Sequence, residues 1–218
     1  MTDSMNIAAG IDVGGPRKGF HAVVLHDGGD VEKLRSTDAA AIAAWVRQTG
    51  ARGIGVDAPC HWRSGAHMRP AERDLAWRRI HCFATPGRET GESHPFYAWM
   101  CNGLSLYSCL SAAYPLFDGS APAGATVCFE TFPQAIACTL AGKPLSARNK
   151  RADRRGLLAG LGIDAGELGS LDFIDAALCA VTARRYLLGD YQKLGDPAEG
   201  YILLPGGSTA APARRVAR

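Results

Sequence analysis

At 218 residues the chain is long enough to bury a substantial core in one domain, or in one domain with a helical insertion. Its 47% hydrophobic and 21% charged residues are the composition of an ordinary globular chain, and a net charge of +3 is too small to imply nucleic acid by itself. No apolar run approaches the roughly 20 uncharged residues of a membrane span, and Met1-Thr-Asp-Ser-Met shows no basic segment before an apolar core, so a cytoplasmic chain with no membrane partner is expected. Seven scattered cysteines without a CxxC fit a reducing compartment better than a disulfide framework.

Residues 6–13, 19–26 and 30–35 alternate or run apolar and are separated by turns at Gly14-Gly15 and Asp27-Gly28-Gly29, which predicts an antiparallel meander. Thr37-Asp38 caps an Ala-rich helix that runs through Trp45 to about Gln48 and stops before Gly50. That helix leads to a fourth strand ending at Asp57, parallel to its partner because of the crossover. Residues 60–120 read as a helical insertion, with helices over Arg69-Pro-Ala-Glu-Arg73 and from Phe96 to Phe117 and a loop from Gly119 to Gly124. A fifth strand at 125–130 precedes helices near 133–141, 150–161 and 170–188, and Glu199 to Pro205 is able to add a short terminal strand. One domain over 1–205 with a disordered tail over 206–218 is expected.

Acidic residues close the apolar runs. Asp12 ends the first, Asp57 the fourth and Glu130 the fifth, while Asp172 and Asp175 share one face of the last helix. A buried unpaired charge costs several kcal/mol or shifts its pKa until it is neutral, and a divalent cation would compensate. Asp57 also fits a turn residue before Pro59, and Asp172 a helix N-terminal residue after Ser170.

Two basic runs add a phosphate-binding expectation. Between His61 and Arg88 lie Arg63, Arg69, Arg73, Arg78 and Arg79, and from Lys143 to Arg155 lie Arg148, Lys150, Arg151 and Arg154. Either run also fits a solvated helix face. Cys60-His61 and His81-Cys82 lack the spacing of a zinc site and fit buried cysteines better. Gly10-Ile-Asp-Val-Gly-Gly15 is similar to the first phosphate loop of actin-like ATPases, but no second such loop follows and the chain is short for a two-domain phosphotransferase.

Three antiparallel strands, a helix, two parallel strands and a closing helix are the order of an RNase H-like α/β fold. A five-stranded mixed sheet flanked by helices is therefore expected. In that arrangement the first strand pairs with the fourth and the fourth with the fifth, bringing their terminal carboxylates to one edge. Such a cluster suits two-metal phosphodiester hydrolysis.

The set Gly10-Ile-Asp12, Val56-Asp57-Ala-Pro59, Arg69-x-x-Glu72-Arg73, Glu130-x-x-Pro133, Lys150 to Arg155, Asp172-x-x-Asp175-Ala176 and Glu199-Gly-Tyr-Ile-x-x-Pro205 resembles domain-of-unknown-function family 429 from about Ile7 to Pro205. Its members are described as predicted nucleases of RNase H-like fold. The resemblance implies Asp12 and Asp57 as central metal ligands, Asp175 or Asp172 as the helix ligand, and Glu130 completing the cluster or orienting a water. It implies a catalytic set of Asp12, Asp57, Glu130 and Asp175, with Arg69, Arg73, Lys150 and Arg154 toward phosphate. Mg2+ or Mn2+ is the expected ion, since an all-carboxylate site suits hard cations. Nucleic acid, DNA or RNA, is the expected partner, with a homodimer left open. The alternatives are a non-catalytic nucleic-acid, nucleotide or partner-binding protein on the same fold and, third, a small-molecule phosphotransferase of actin-like type.

Overall fold

The computed structural model describes residues 6–65 and 67–207, so the tail expected from 206 onward lies almost wholly outside the described residues. A seven-stranded mixed sheet in the order β3-β2-β1-β4-β5-β7-β6 organises the chain. β1 (Ala8–Val13), β2 (Phe20–Leu25) and β3 (Val31–Ser36) form the expected antiparallel meander. α1 (Ala39–Gln48), capped by Asp38 through a 2.8 Å bond from the Ala40 amide, then carries the chain across so that β4 (Gly53–Asp57) lies parallel to β1. β5 (Val127–Glu130) lies parallel to β4. The order 3-2-1-4-5 is the RNase H-like arrangement predicted from the sequence.

The sheet nevertheless has seven strands, not five. β6 (Tyr191–Asp196) and β7 (Gly200–Pro205) form an antiparallel hairpin, and β7 joins β5 in parallel at Glu130 and Ile202. β6 buries only Leu194 and leaves polar residues along the sheet edge, so it has none of the apolar alternation that marks an interior strand.

Between β4 and β5 the chain forms α2 (Pro70–Trp77), α3 (Arg88–Ser93) and α4 (Ala98–Leu110). The helix expected to reach Phe117 ends at Leu110, because Pro115 disfavours helical backbone before it and Leu116 instead bridges to Cys128 of β5. α5 (Pro133–Ala141), α6 (Lys150–Gly160) and α7 (Leu171–Leu187) follow as expected.

α1 and α4 cover one face of the sheet, where Ile42, Val46, Leu106 and Leu110 pack on Ile11, Val24, Ile54 and Val56. α7 lies across the other face and is buried from Ile174 to Ala183, as a helix apolar on all sides must be. No helix among the described residues is long and apolar enough to cross a membrane.

Candidate functional site

Alternation along β1 and β4 places Ala8, Gly10 and Asp12 in line with Gly53, Gly55 and Asp57, all toward α7. The small residues let the helix settle on the strands: a Cβ at Gly10 would fall 2.0 Å from the Ala176 carbonyl oxygen, and one at Gly55 2.6 Å from that of Cys179. Close seating of α7 carries Asp172 and Asp175, one helical turn apart, to the strand ends where Asp12 and Asp57 are register partners. Neighbouring strands lie about 4.8 Å apart, so like charges at these two positions repel strongly.

The titration behaviour reflects that crowding. Asp12 is raised to about 7, first by burial and then by repulsion from Asp175 and Asp172, against the pull of the Lys18 ammonium. Burial and repulsion from Asp12 and Asp175 push Asp57 well above the usual carboxylate range. Asp175 is raised by burial despite the Arg154 guanidinium beside it.

Two cations reach the cluster from within the chain. Lys18, on the turn between β1 and β2, places Nζ 2.8 Å from Asp172 Oδ1 and 3.3 Å from Asp12 Oδ2. Its stem runs over Gly14, where any Cβ would fall 2.5 Å from it. Arg154 of α6 is buried, ion-paired with Asp175, and bonded through Nη2 to Gln134 Oε1 at 2.9 Å. His21 faces Asp12 across the β1–β2 pair and sets Nε2 3.9 Å from Asp172 Oδ2. Burial holds the His21 imidazole below its ordinary pKa, against the pull of Asp172, so it is neutral near pH 7. Asp12, His21 and Asp172 each offer a ligand atom within 4.8 Å of the others. Asp12 Oδ2 and His21 Nδ1 are both buried without a hydrogen-bond partner, the Lys18 contact being one of charge and not of alignment.

Glu130 is placed differently. Along β5 it follows Cys128 onto the face of Val56, opposite Asp57. Its carboxylate takes two bonds from Arg69, Nη1 to Oε2 at 2.9 Å and Nη2 to Oε1 at 2.6 Å, and a third from the Cys60 amide at 2.9 Å. Arg69 is only 1% exposed and also binds Glu72 through Nε at 2.9 Å, so its guanidinium is turned into the protein and not toward solvent. Arg73 is exposed, with its guanidinium 5.2 Å from the Trp77 ring centre. Lys150 is exposed at the start of α6 and draws Asp175 toward its charged form.

A family model described as "Protein of unknown function (DUF429)" matches residues 10–200. The chain belongs to the DUF429 family. No curated protein matches it. Among solved structures it is similar to Thermus thermophilus RuvC, with a TM-score of 0.42 and 12% identity over 84% of this chain and 96% of that one.

In this DUF429 protein the acids expected to cluster, Asp12, Asp57, Asp172 and Asp175, lie at the ends of β1 and β4 and on α7, and they are joined by Lys18, His21 and Gln134, which the sequence did not single out. His21 had a readable signal. With a turn joining Val13 to Phe20, antiparallel pairing places residue 21 opposite residue 12. Lys18 and Gln134 had none, since a turn lysine and a first-turn helix glutamine are ordinary surface residues until the packing brings them inward.

Proposed function

We propose that this DUF429 protein is a metal-dependent nuclease that hydrolyses phosphodiester bonds at the Asp12, Asp57, Asp172 and Asp175 cluster. The observation that carries the reading is the pairing of a buried Asp12 with a half-buried Asp57 as register partners, with two further carboxylates delivered by α7 onto the same face. Four neighbouring carboxylates are costly to hold, because each raises the cost of ionising the next.

The residues fit a divalent cation. Carboxylate oxygens dominate, those of Asp12 and Asp175 buried and those of Asp57 and Asp172 half-buried. One imidazole is neutral and available, and the buried Asp12 Oδ2 is met by the Lys18 ammonium at 3.3 Å. Hard ions of the Mg2+ or Mn2+ kind match that donor set. Asp12, Asp57, Asp172 and Asp175 would hold it, and when bound it would lower the pKa of a water and offset charge on the leaving oxygen. With its pKa raised to about 7, Asp12 must shed any proton it holds at its carboxylate to serve as a ligand. Arg154 fixes Asp175, and Gln134 fixes Arg154, which orients the helix carboxylate toward the strands. With both oxygens bonded to Arg69, Glu130 acts from the opposite face by anchoring the loop after β4 through the Cys60 amide.

One observation favours a second reading. Lys18 already bridges Asp12 and Asp172, so the cluster has an internal cation and the protein would bind nucleic acid or a partner without cleaving anything. The experiment that separates the two is incubation of labelled single- and double-stranded DNA and RNA with Mn2+, Mg2+ or chelator. The nuclease reading expects cleavage of at least one substrate with metal, none with chelator, and a loss of more than about 100-fold in Asp57→Asn, on the scale of removing metal-based catalysis. Nucleic acid that binds but stays intact under every condition would favour the second reading.

A further inference from the structure

Beside the carboxylates runs a groove of about 420 Å3, between the segment after α2 and the starts of α5 and α6. A space of that size holds a nucleobase with its sugar. Arg79, His81, Lys150 and Arg154 line it with Phe83 and Phe132, and no carboxylate does. Its charge is therefore complementary to a phosphodiester strand, with aromatic rings set among the cations.

Three features separate this groove from an ordinary surface depression. Phe83 is 71% exposed and meets Phe96, 50% exposed, edge-on at 5.5 Å, so two large apolar rings stand in water at its rim. Arg154 forms its floor, 5% exposed, with Nε buried and without a partner while its other end holds Asp175. Phe83 and Phe132 also line a smaller cavity whose wall includes Asp57, so the groove and the strand-end cavity share a wall. Arg79 adds to the charge from a left-handed backbone at φ 59°, a position where glycine would fit with less strain.

We infer that this groove seats an unpaired nucleotide next to the scissile phosphate, its base stacked on Phe83 and its phosphates met by Lys150 and Arg79. The substrate is then single-stranded nucleic acid, or a single-stranded stretch of a larger one. In a duplex both faces of each base are covered by neighbours, and the exposed ring would have nothing to stack on. The place beside the scissile bond rests on the nuclease reading above, whereas the stacking is a property of binding alone.

Binding is measured by fluorescence anisotropy in chelator, with a labelled deoxythymidine oligomer and a duplex of equal length. The single strand binds the parent more tightly. Phe83→Ala weakens it about tenfold, as loss of one stacked base does, and Phe83→Trp restores it. Lys150→Ala lowers the slope of log affinity against log salt by about one phosphate contact. Arg79→Gly weakens the single strand while leaving the melting temperature unchanged or higher, because the backbone strain is relieved. Equal or tighter duplex binding, or a Phe83→Ala variant that binds as the parent does, overturns the inference and leaves the nuclease reading standing. Failure of every nucleic acid to bind at low salt overturns both.

Discussion

Gly10 and Gly55 stand side by side on β1 and β4, and the backbone of α7 lies against both. A methyl group at Gly10 would meet the Ala176 carbonyl oxygen at 2.0 Å and the Ala180 amide nitrogen at 2.1 Å, and helix backbone cannot swing aside as a side chain can. Gly10→Ala therefore lifts α7 or parts the strands, at a cost of about 1–3 kcal/mol or more. Gly15→Ala is the control, since nothing lies within 4 Å of a Cβ there. Urea denaturation should show a lowered midpoint for the first and a change within about 0.5 kcal/mol for the second.

Arg69 and Arg73 separate a buried brace from a surface charge within one turn of helix. Arg69→Met leaves Glu130 and Glu72 buried without their cation and should cost about 3–5 kcal/mol. Arg73→Ala removes only an exposed contact with Trp77 and should cost no more than about 1 kcal/mol. Denaturant titration of both variants checks this. Equal stability of the two would mean that Arg69 acts only on a ligand.

The elements that were legible in the sequence are those whose burial shows as apolar periodicity: β1, β2, β4, α1, α5 and α7. β6 was not, because an edge strand with one buried leucine carries no such pattern. The ends of β1 and β4 were readable as carboxylate positions, but the face taken by Glu130 was not. A shift of one residue reverses the side on which a strand residue points, and only the register of Val56 with Glu130 settles it. Arg69 and Glu72 look like a solvated pair at i, i+3. Their partners are Glu130 at the end of β5 and the Glu199 carbonyl just before β7, both distant in sequence, together with Thr85 after α2. Asp12, Asp57, Asp172 and Asp175 come together through Gly10 and Gly55, whose role depends on a helix more than 100 residues away in the chain.

Stability of the metal-free protein should fall as pH rises across the cluster. Asp12 has a folded pKa of about 7 against an ordinary 3.8, so between those values the folded state holds a proton that the unfolded chain has released. The slope of unfolding free energy with pH is then negative, and the contribution is complete only below about 3.8 and gone above about 7. Asp57 and Asp175 act in the same sense. His21, lowered by burial, acts oppositely just below its ordinary 6.5, because there the unfolded chain binds the proton. Urea midpoints of the parent and Asp12→Asn, both in chelator from pH 5 to pH 8, isolate the carboxylate term. The parent should lose stability more steeply with rising pH than the variant, and parallel curves would contradict the raised pKa of Asp12.

The central claim is that Asp12 and Asp57 form a cation site and are not structural acids. Thermal melts of the parent, Asp12→Asn and Asp57→Asn, each with chelator and with excess Mn2+, test it most directly. Removing one charge from a repelling pair should leave each metal-free variant as stable as the parent or more so. Only the parent should gain on adding Mn2+, by the mass action of an ion that binds the folded state. Two variants destabilised in chelator, together with a parent whose melting temperature ignores Mn2+, would contradict the account.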